Sequence, residues 1–174
     1  MISDNYVPEK INEYNVYQKG NRMIGVVPDV ELPGIKMKTS TVIGAGMLGE
    51  LDSPAIGQFE SMTQELKFNV LYSSAIDMLS PLEAVDLTFR ASQQVYDKSG
   101  GYAFKGLRIV EQGRVKEFKP GKLVRANGME ATVILEVTYI LFEVDGEPML
   151  EIDKLNQVYK VRGKDMLADV RALV

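Results

Sequence analysis

The chain has 174 residues, 45% hydrophobic and 25% charged, with a net charge of −4. That length and balance suit one soluble, well-filled domain, and no apolar run approaches the roughly 20 residues needed to cross a bilayer. Cysteine and histidine are both absent, which removes disulfides, thiolate nucleophiles, ordinary zinc sites, Ser-His-Asp triads and imidazole acid–base chemistry.

The opening MISDNYVPEK carries acids where a signal peptide carries a basic stretch and then an apolar one, so a cytosolic site of synthesis is expected. Tyr14–Gln18, a Lys19-Gly20-Asn21 turn and Arg22–Val27 predict a first hairpin. The stretch from Ile35 to Gly57 reads as a long loop, with Gly44, Gly46, Gly49, Gly57 and Pro54 among Thr and Ser. Long loops in compact domains are functional or mobile, and the apolar Met37, Val42, Ile43, Met47, Leu48 and Ile56 would be a liability on a free surface. The segment is therefore read as an arm reaching a neighbouring subunit.

Inside it, Gly44-Ala45-Gly46-Met47-Leu48-Gly49 is a literal G-x-G-x-x-G behind Thr41-Val42-Ile43. A dinucleotide site needs those glycines to open a helix whose N-terminus holds the pyrophosphate. Here Glu50-Leu51-Asp52-Ser53-Pro54 and Gly57 follow, which cannot carry such a helix. The fingerprint is a decoy.

From Phe59 to Tyr72 the residues alternate, Met62, Leu66, Phe68 and Val70 against Ser61, Thr63, Glu65, Lys67 and Asn69, as in a half-buried strand. Tyr72–Leu79 predicts two helical turns stopped by Pro81. Ala84–Gln93 alternates again, with Val85, Leu87, Phe89 and Ala91 on one face. Gly100-Gly101 marks a turn, Tyr102–Val110 a returning strand, and Arg114 opens another that breaks at Pro120-Gly121. Lys116, Lys119, Lys122 and Arg125 form the densest basic cluster and read as a solvated loop.

Met129–Val144 is the longest strand candidate, with Val133, Leu135, Val137, Tyr139 and Leu141 on one face and Ile134, Ile140 and Phe142 on the other. A strand apolar on both faces is covered on both. Asp145-Gly146 turns into Pro148–Asp153, and Lys164–Leu173 has helical spacing. The acids Glu143, Asp145, Glu147, Glu151 and Asp153 have no EF-hand spacing and belong to a plain turn. The fold class is mainly β, a sandwich or small barrel with two short helices, in one domain.

Three collinear stretches then bear a resemblance. Val30-Glu31-Leu32-Pro33, Lys36 and Gly44-Ala45-Gly46-Met47 form the first. Val137-Thr138-Tyr139, Val144-Asp145-Gly146, Glu151-Ile152-Asp153 and Asn156 form the second, and Gly163, Asp165, Leu167 and Arg171 the third. In this order they resemble the FII-type major tail tube proteins of contractile phages and R-type bacteriocins. The chain departs from the pattern in ending Ala172-Leu173-Val174 and in its longer lead before the first strand.

The resemblance implies a homo-hexameric ring, stacked into the tube of a contractile tail, with six subunits closing one β-barrel around a lumen. It implies sheath, baseplate and tail-terminator partners, DNA passing through without specific binding, assembly in the host cytoplasm, and no catalytic residue, cofactor or metal. Gly44, Gly46, Met47, Leu48 and Gly49 would belong to the inter-subunit arm. Asp86, Thr88, Ser92, Glu130, Thr132, Glu136 and Thr138 are candidates to line an acidic or neutral lumen. The runner-up is an effector-carrying tube of a related injection system, and a third reading is a small β-barrel enzyme or ligand binder using carboxylates.

Overall fold

A computed structural model describes residues 6–174; the first five residues of the N-terminal lead lie outside the described ones. The lead from Tyr6 onward is not separate from the first strand. It is that strand, β1 (Tyr6–Gln18), which turns through Lys19-Gly20 into β2 (Asn21–Met23). The left-handed φ values of Lys19 (46°) and Gly20 (83°) are those a two-residue hairpin of this twist requires.

The next strands are β3 (Met37–Val42), β4 (Leu51–Phe59) and β5 (Met62–Phe68), followed by α1 (Ser73–Asp77). Then come β6 (Val85–Asp97), β7 (Gly101–Lys119), β8 (Ala131–Val144), β9 (Glu147–Asp153), β10 (Val158–Val161) and β11 (Lys164–Asp165). The short α2 (Ala168–Arg171) ends the chain, occupying the second half of the stretch with helical spacing. The mainly β class is what the alternation predicted, and both short helices are present.

Every pairing in the main sheet is antiparallel, in the order β11-β10-β9-β8-β7-β6-β1-β2 with β5 added to β8. Strand β8 has β7 along one edge. Along its other edge it pairs with β5 as far as Val137 and with β9 from Tyr139 onward. The free edge of β5 meets the chain just after β2. Val27 N–H donates to Lys67 O (3.0 Å), Asn69 N–H donates to Gly25 O (3.0 Å), and Val26 bridges Phe68. Those bonds close β1, β2, β5, β8, β7 and β6 into a small barrel.

Its interior is the apolar face of those strands. Met62, Leu66 and Phe68 from β5, Leu87 from β6, Val133, Leu135 and Val137 from β8 and Ile152 from β9 are essentially inaccessible. Ala75 and Met78, from α1 and its C-cap, plug the end nearest Phe68. Val70 leaves this face: it lies past the end of β5 and is 58% exposed.

Two bulges correct the reading of β7 and β8. Gln112 opposes Tyr139 while Gly113 opposes Val137, so Thr138 is an extra residue in β8. The core-facing set therefore changes from Val133, Leu135 and Val137 to Ile140 and Phe142. Much of the double-sided apolar pattern is this change of phase and not a second covering layer, although Ile134 on the outer face is also buried. In β7, Lys116 is the extra residue between the pairs Val115–Leu135 and Glu117–Ile134. The two strands expected on either side of Val110–Arg114 are one continuous strand. A Cβ at Gly113 would fall on Glu136 O, so the crossing at the bulge needs glycine there.

Two core positions are polar: Gln64, whose Nε2 donates to Glu31 O (3.0 Å) and Glu65 O (2.7 Å), and the acid Glu111. Glu111 lies between Leu87 and Ile140 in the ladder and is 1% exposed, and neither carboxylate oxygen has a partner among the described residues. Burial alone pushes its carboxyl up from 4.5 to about 8. The folded state thus holds a proton that the unfolded state has lost between those two values, and stability falls as pH rises through that window. Glu111→Leu should raise the stability of the folded subunit by about 1–3 kcal/mol at pH 8, because it removes an unpaired buried polar group. The gap should narrow toward pH 4.5, as measured by chemical denaturation across the pH range.

Candidate assembly surfaces

The Ile35–Gly57 stretch is more regular than a loop. Its strands β3 and β4 form a two-stranded sheet of their own, pairing Val42 with Leu51, Thr41 with Asp52 and Thr39 with Pro54. Pro54 is tolerated because each strand has a partner on one edge only. The motif glycines sit in the tip between Val42 and Leu51, where Met47 N–H donates to Gly44 O (3.2 Å) and no helix follows. The dinucleotide reading therefore has no structural basis. Six strand residues at about 3.3 Å each give the hairpin a reach of about 20 Å.

The hairpin is uncovered. Leu48 is fully exposed, and Ile43, Leu51 and Ile56 are each more than half exposed. Its root, by contrast, is fixed. Phe59 packs edge-to-face on Tyr159 with ring centroids 5.2 Å apart, Glu60 N–H donates to Lys36 O (2.8 Å), and Lys36 pairs with Glu60. Leu167, just before α2, fills the space beside Gly57: a Cβ there would lie 2.6 Å from Leu167 Cδ2. The C-terminal segment thus clamps the base of the arm. Sequence reading separated these two features, and it took Gly57 only as one of the loop's glycines.

Five of the seven lumen candidates, Asp86, Thr88, Ser92, Glu136 and Thr138, fall on the barrel's outer face, but not in one strip, and the other two do not. Asp86, Thr88 and Ser92 share the outward side of β6. Gln112 Nε2 donates to Asp86 Oδ2 (3.4 Å) and Thr138 Oγ1 donates to Gln112 O (3.2 Å), so Asp86 and Thr138 belong to one neighbourhood. Thr132 is buried, and Glu130 stands before β8 with φ 57°, beside Lys122.

Glu136 centres a network that spacing did not reveal. It accepts from Ser61 Oγ (2.5 Å), Lys116 Nζ (3.3 Å) and Lys154 Nζ (3.3 Å), while Lys116 also donates to Thr63 Oγ1 (2.7 Å). Partial burial opposes ionisation of Glu136, but these donors outweigh it and hold its carboxyl below the usual range. Farther along the same face, Arg108 pairs with Glu143 and Arg90 stacks over Tyr17. Tyr139 donates to Glu151 Oε1 (3.3 Å), and desolvation together with Glu151 pushes its phenol up to about 12. Charge on this face is largely paired. No cluster of acids with metal-binding geometry occurs among the described residues.

Extended apolar strands, a small closed barrel and a protruding hairpin are a subunit's equipment, and comparison with known proteins agrees. The family model for the phage tail tube protein FII matches residues 8–174. The chain belongs to that family. It is 29% identical to the tail tube protein of Escherichia phage P2 over 168 residues, covering 95% of this chain and 96% of the relative. It is 29% identical to the major tail tube protein of Serratia phage KSP20 over 169 residues, covering 94% and 93%. A tail tube subunit is a structural protein, so its chemistry lies in its surfaces.

Gly57→Ala tests the clamp. The added methyl meets Leu167 and the residue must keep φ 78°, so the fold should lose about 1–3 kcal/mol. Amide exchange should rise in β3, β4 and residues 164–173 before it rises in β8.

Proposed function

We propose that six copies of this chain close into a ring, that rings stack into the inner tube of a contractile tail, and that the β3–β4 hairpin bridges copies. The observation that carries this is the hairpin itself: a rooted, ordered arm whose apolar side chains have no cover within their own subunit, in a member of the tail tube family. Free subunits would hold that surface in water at a cost of about 25 cal/mol per Å² of apolar area, and contact with another copy removes it.

In this reading the tube is a passive conduit inside a sheath, held between baseplate and tail-terminator proteins, through which DNA passes or which is itself driven through an envelope. The paired charges of the outer barrel face suit a bore along which a polyanion slides without being held. Asp86, Thr88, Glu136 and Thr138 are the residues of that face we assign to the lumen, and Ser92 lies farther along it. A bore lined mainly by unpaired Lys and Arg would contradict the assignment. No side chain is assigned a catalytic role.

Gel filtration and negative-stain imaging test the proposal. The wild-type chain should elute as rings or longer assemblies and form tubes. Gly44→Val with Gly46→Val should abolish tubes and leave a monomer with an unchanged circular dichroism spectrum. Normal tubes from that variant would remove the arm from the assembly.

A further inference from the structure

The arm's apolar tip is uncovered, and a second exposed apolar surface lies at the end of the barrel away from the arm's root. The register of β5 against β8 sets the geometry. Met62 lies opposite Val137 and Phe68 opposite Ala131, about 20 Å apart along the strand. The arm is rooted at the Met62 end, through Phe59 and Glu60. The segment between β7 and β8, residues 120–130, lies at the Phe68 end, where Met129 N–H donates to Asn69 O (2.7 Å).

That segment is shaped, not slack. Lys122 N–H donates to Met129 O (2.9 Å) and Asn127 N–H donates to Val124 O (3.2 Å). A Cβ at Gly121 would fall on Met129 O, so the chain folds back on itself as closely as glycine allows. Together with Val70 the segment borders a groove of about 320 Å³. Leu123 is 90% exposed, and Val70 and Val124 are also exposed. Around these apolar positions stand Lys122, whose ion pair with Glu130 is long and solvent-exposed, and Arg125, which has no ion pair among the described residues.

The arm tip is the complement. It presents Ile43, Met47, Leu48 and Leu51 beside Glu50 and Asp52, which likewise form no ion pair among the described residues. Apolar surface edged by acids is therefore carried on an arm rooted at one end of the barrel, and apolar surface edged by bases lies at the other. A protrusion and a distant receptor on one molecule make a heterologous contact, which repeats from copy to copy without needing a twofold axis.

We infer that the arm tip of one copy seats on the 120–130 segment and Val70 of a second copy lying end to end with it, with Glu50 and Asp52 facing Lys122 and Arg125. This deepens the stacking proposed above and rests on it. Of the basic cluster read from sequence as a solvated loop, Lys116 and Lys119 belong to β7, while Lys122 and Arg125 become part of the receptor for the next ring.

The chain's lack of cysteine makes the test clean. Leu48→Cys and Leu123→Cys are placed in one chain at exposed positions, assembled and oxidised. The expected result is a disulfide ladder running past six chains, because an end-to-end contact does not close on itself. Each single variant should stay unlinked, and a mixture of the two singles should give a covalent dimer. Wild-type-like tubes without links, or a ladder that stops at six, would overturn the end-to-end contact while leaving ring stacking intact. A wild-type chain that stays monomeric at every concentration would overturn both readings. As a second measurement, Glu50→Lys with Asp52→Lys should lose tubes at least tenfold, and adding Lys122→Glu with Arg125→Glu should restore them. Tubes unaffected by the first pair, or lost tubes that the second pair fails to restore, would count against the charge pairing.

Discussion

Strand β8 is hydrogen-bonded along one edge to β7 and is shared along the other between β5 and β9. The extra residue Thr138 lies at that change of partner, where the inward-facing set moves from Val137 to Ile140. Everything that positions the surfaces follows from it. The first half of β8 holds β5 in the barrel wall, and β5 in turn carries the arm at one end and the 120–130 segment at the other. The second half holds β9 and, through β10, the Tyr159 ring on which the root of the arm rests. A change in this register would move both ends of the subunit at once, because a one-residue slip exchanges the faces of a strand.

Within that frame the subunit is stable on one side of the wall and unfinished on the other. The core is closed by backbone bonds and by α1, and its cost is a single buried acid, Glu111, with no partner. The outer face settles its charges in pairs, around Glu136 above all. What stays unresolved inside one copy is apolar: the arm tip and the rim of the groove at Leu123. A tail tube subunit is made once and must then meet its copies in a fixed order. The end-to-end contact we infer would give that order through complementary surfaces, without any chemistry in the usual sense.

Much of this was legible in the residues. Period-two alternation in Met62–Phe68 and Val85–Phe89 gave the strands and their buried faces, and Asp145-Gly146 gave its turn, with φ values of 52° and 81°. Bulges were not legible, because they leave no residue-type signature. Gly113 in the middle of β7 looked like a break, and the phase change at Thr138 looked like two covered faces. Glycine and Pro54 likewise disguised β3 and β4 as a loop, since turn-forming residues are also permitted in an exposed two-stranded sheet. The clamp of Leu167 on Gly57 depends on chain ends meeting in three dimensions, which local pattern cannot express. The arm was proposed from its apolar residues, and their exposure in the hairpin supports that proposal despite the incorrect secondary-structure reading.

The most direct measurement is a cryo-electron microscopy reconstruction of the assembled tube formed by this chain. The account predicts that Ile43, Met47 and Leu48 are buried against another copy, while the barrel keeps the register of β8 seen in the single subunit. A tube in which the hairpin tip lies in solvent, touching no other copy, would contradict it.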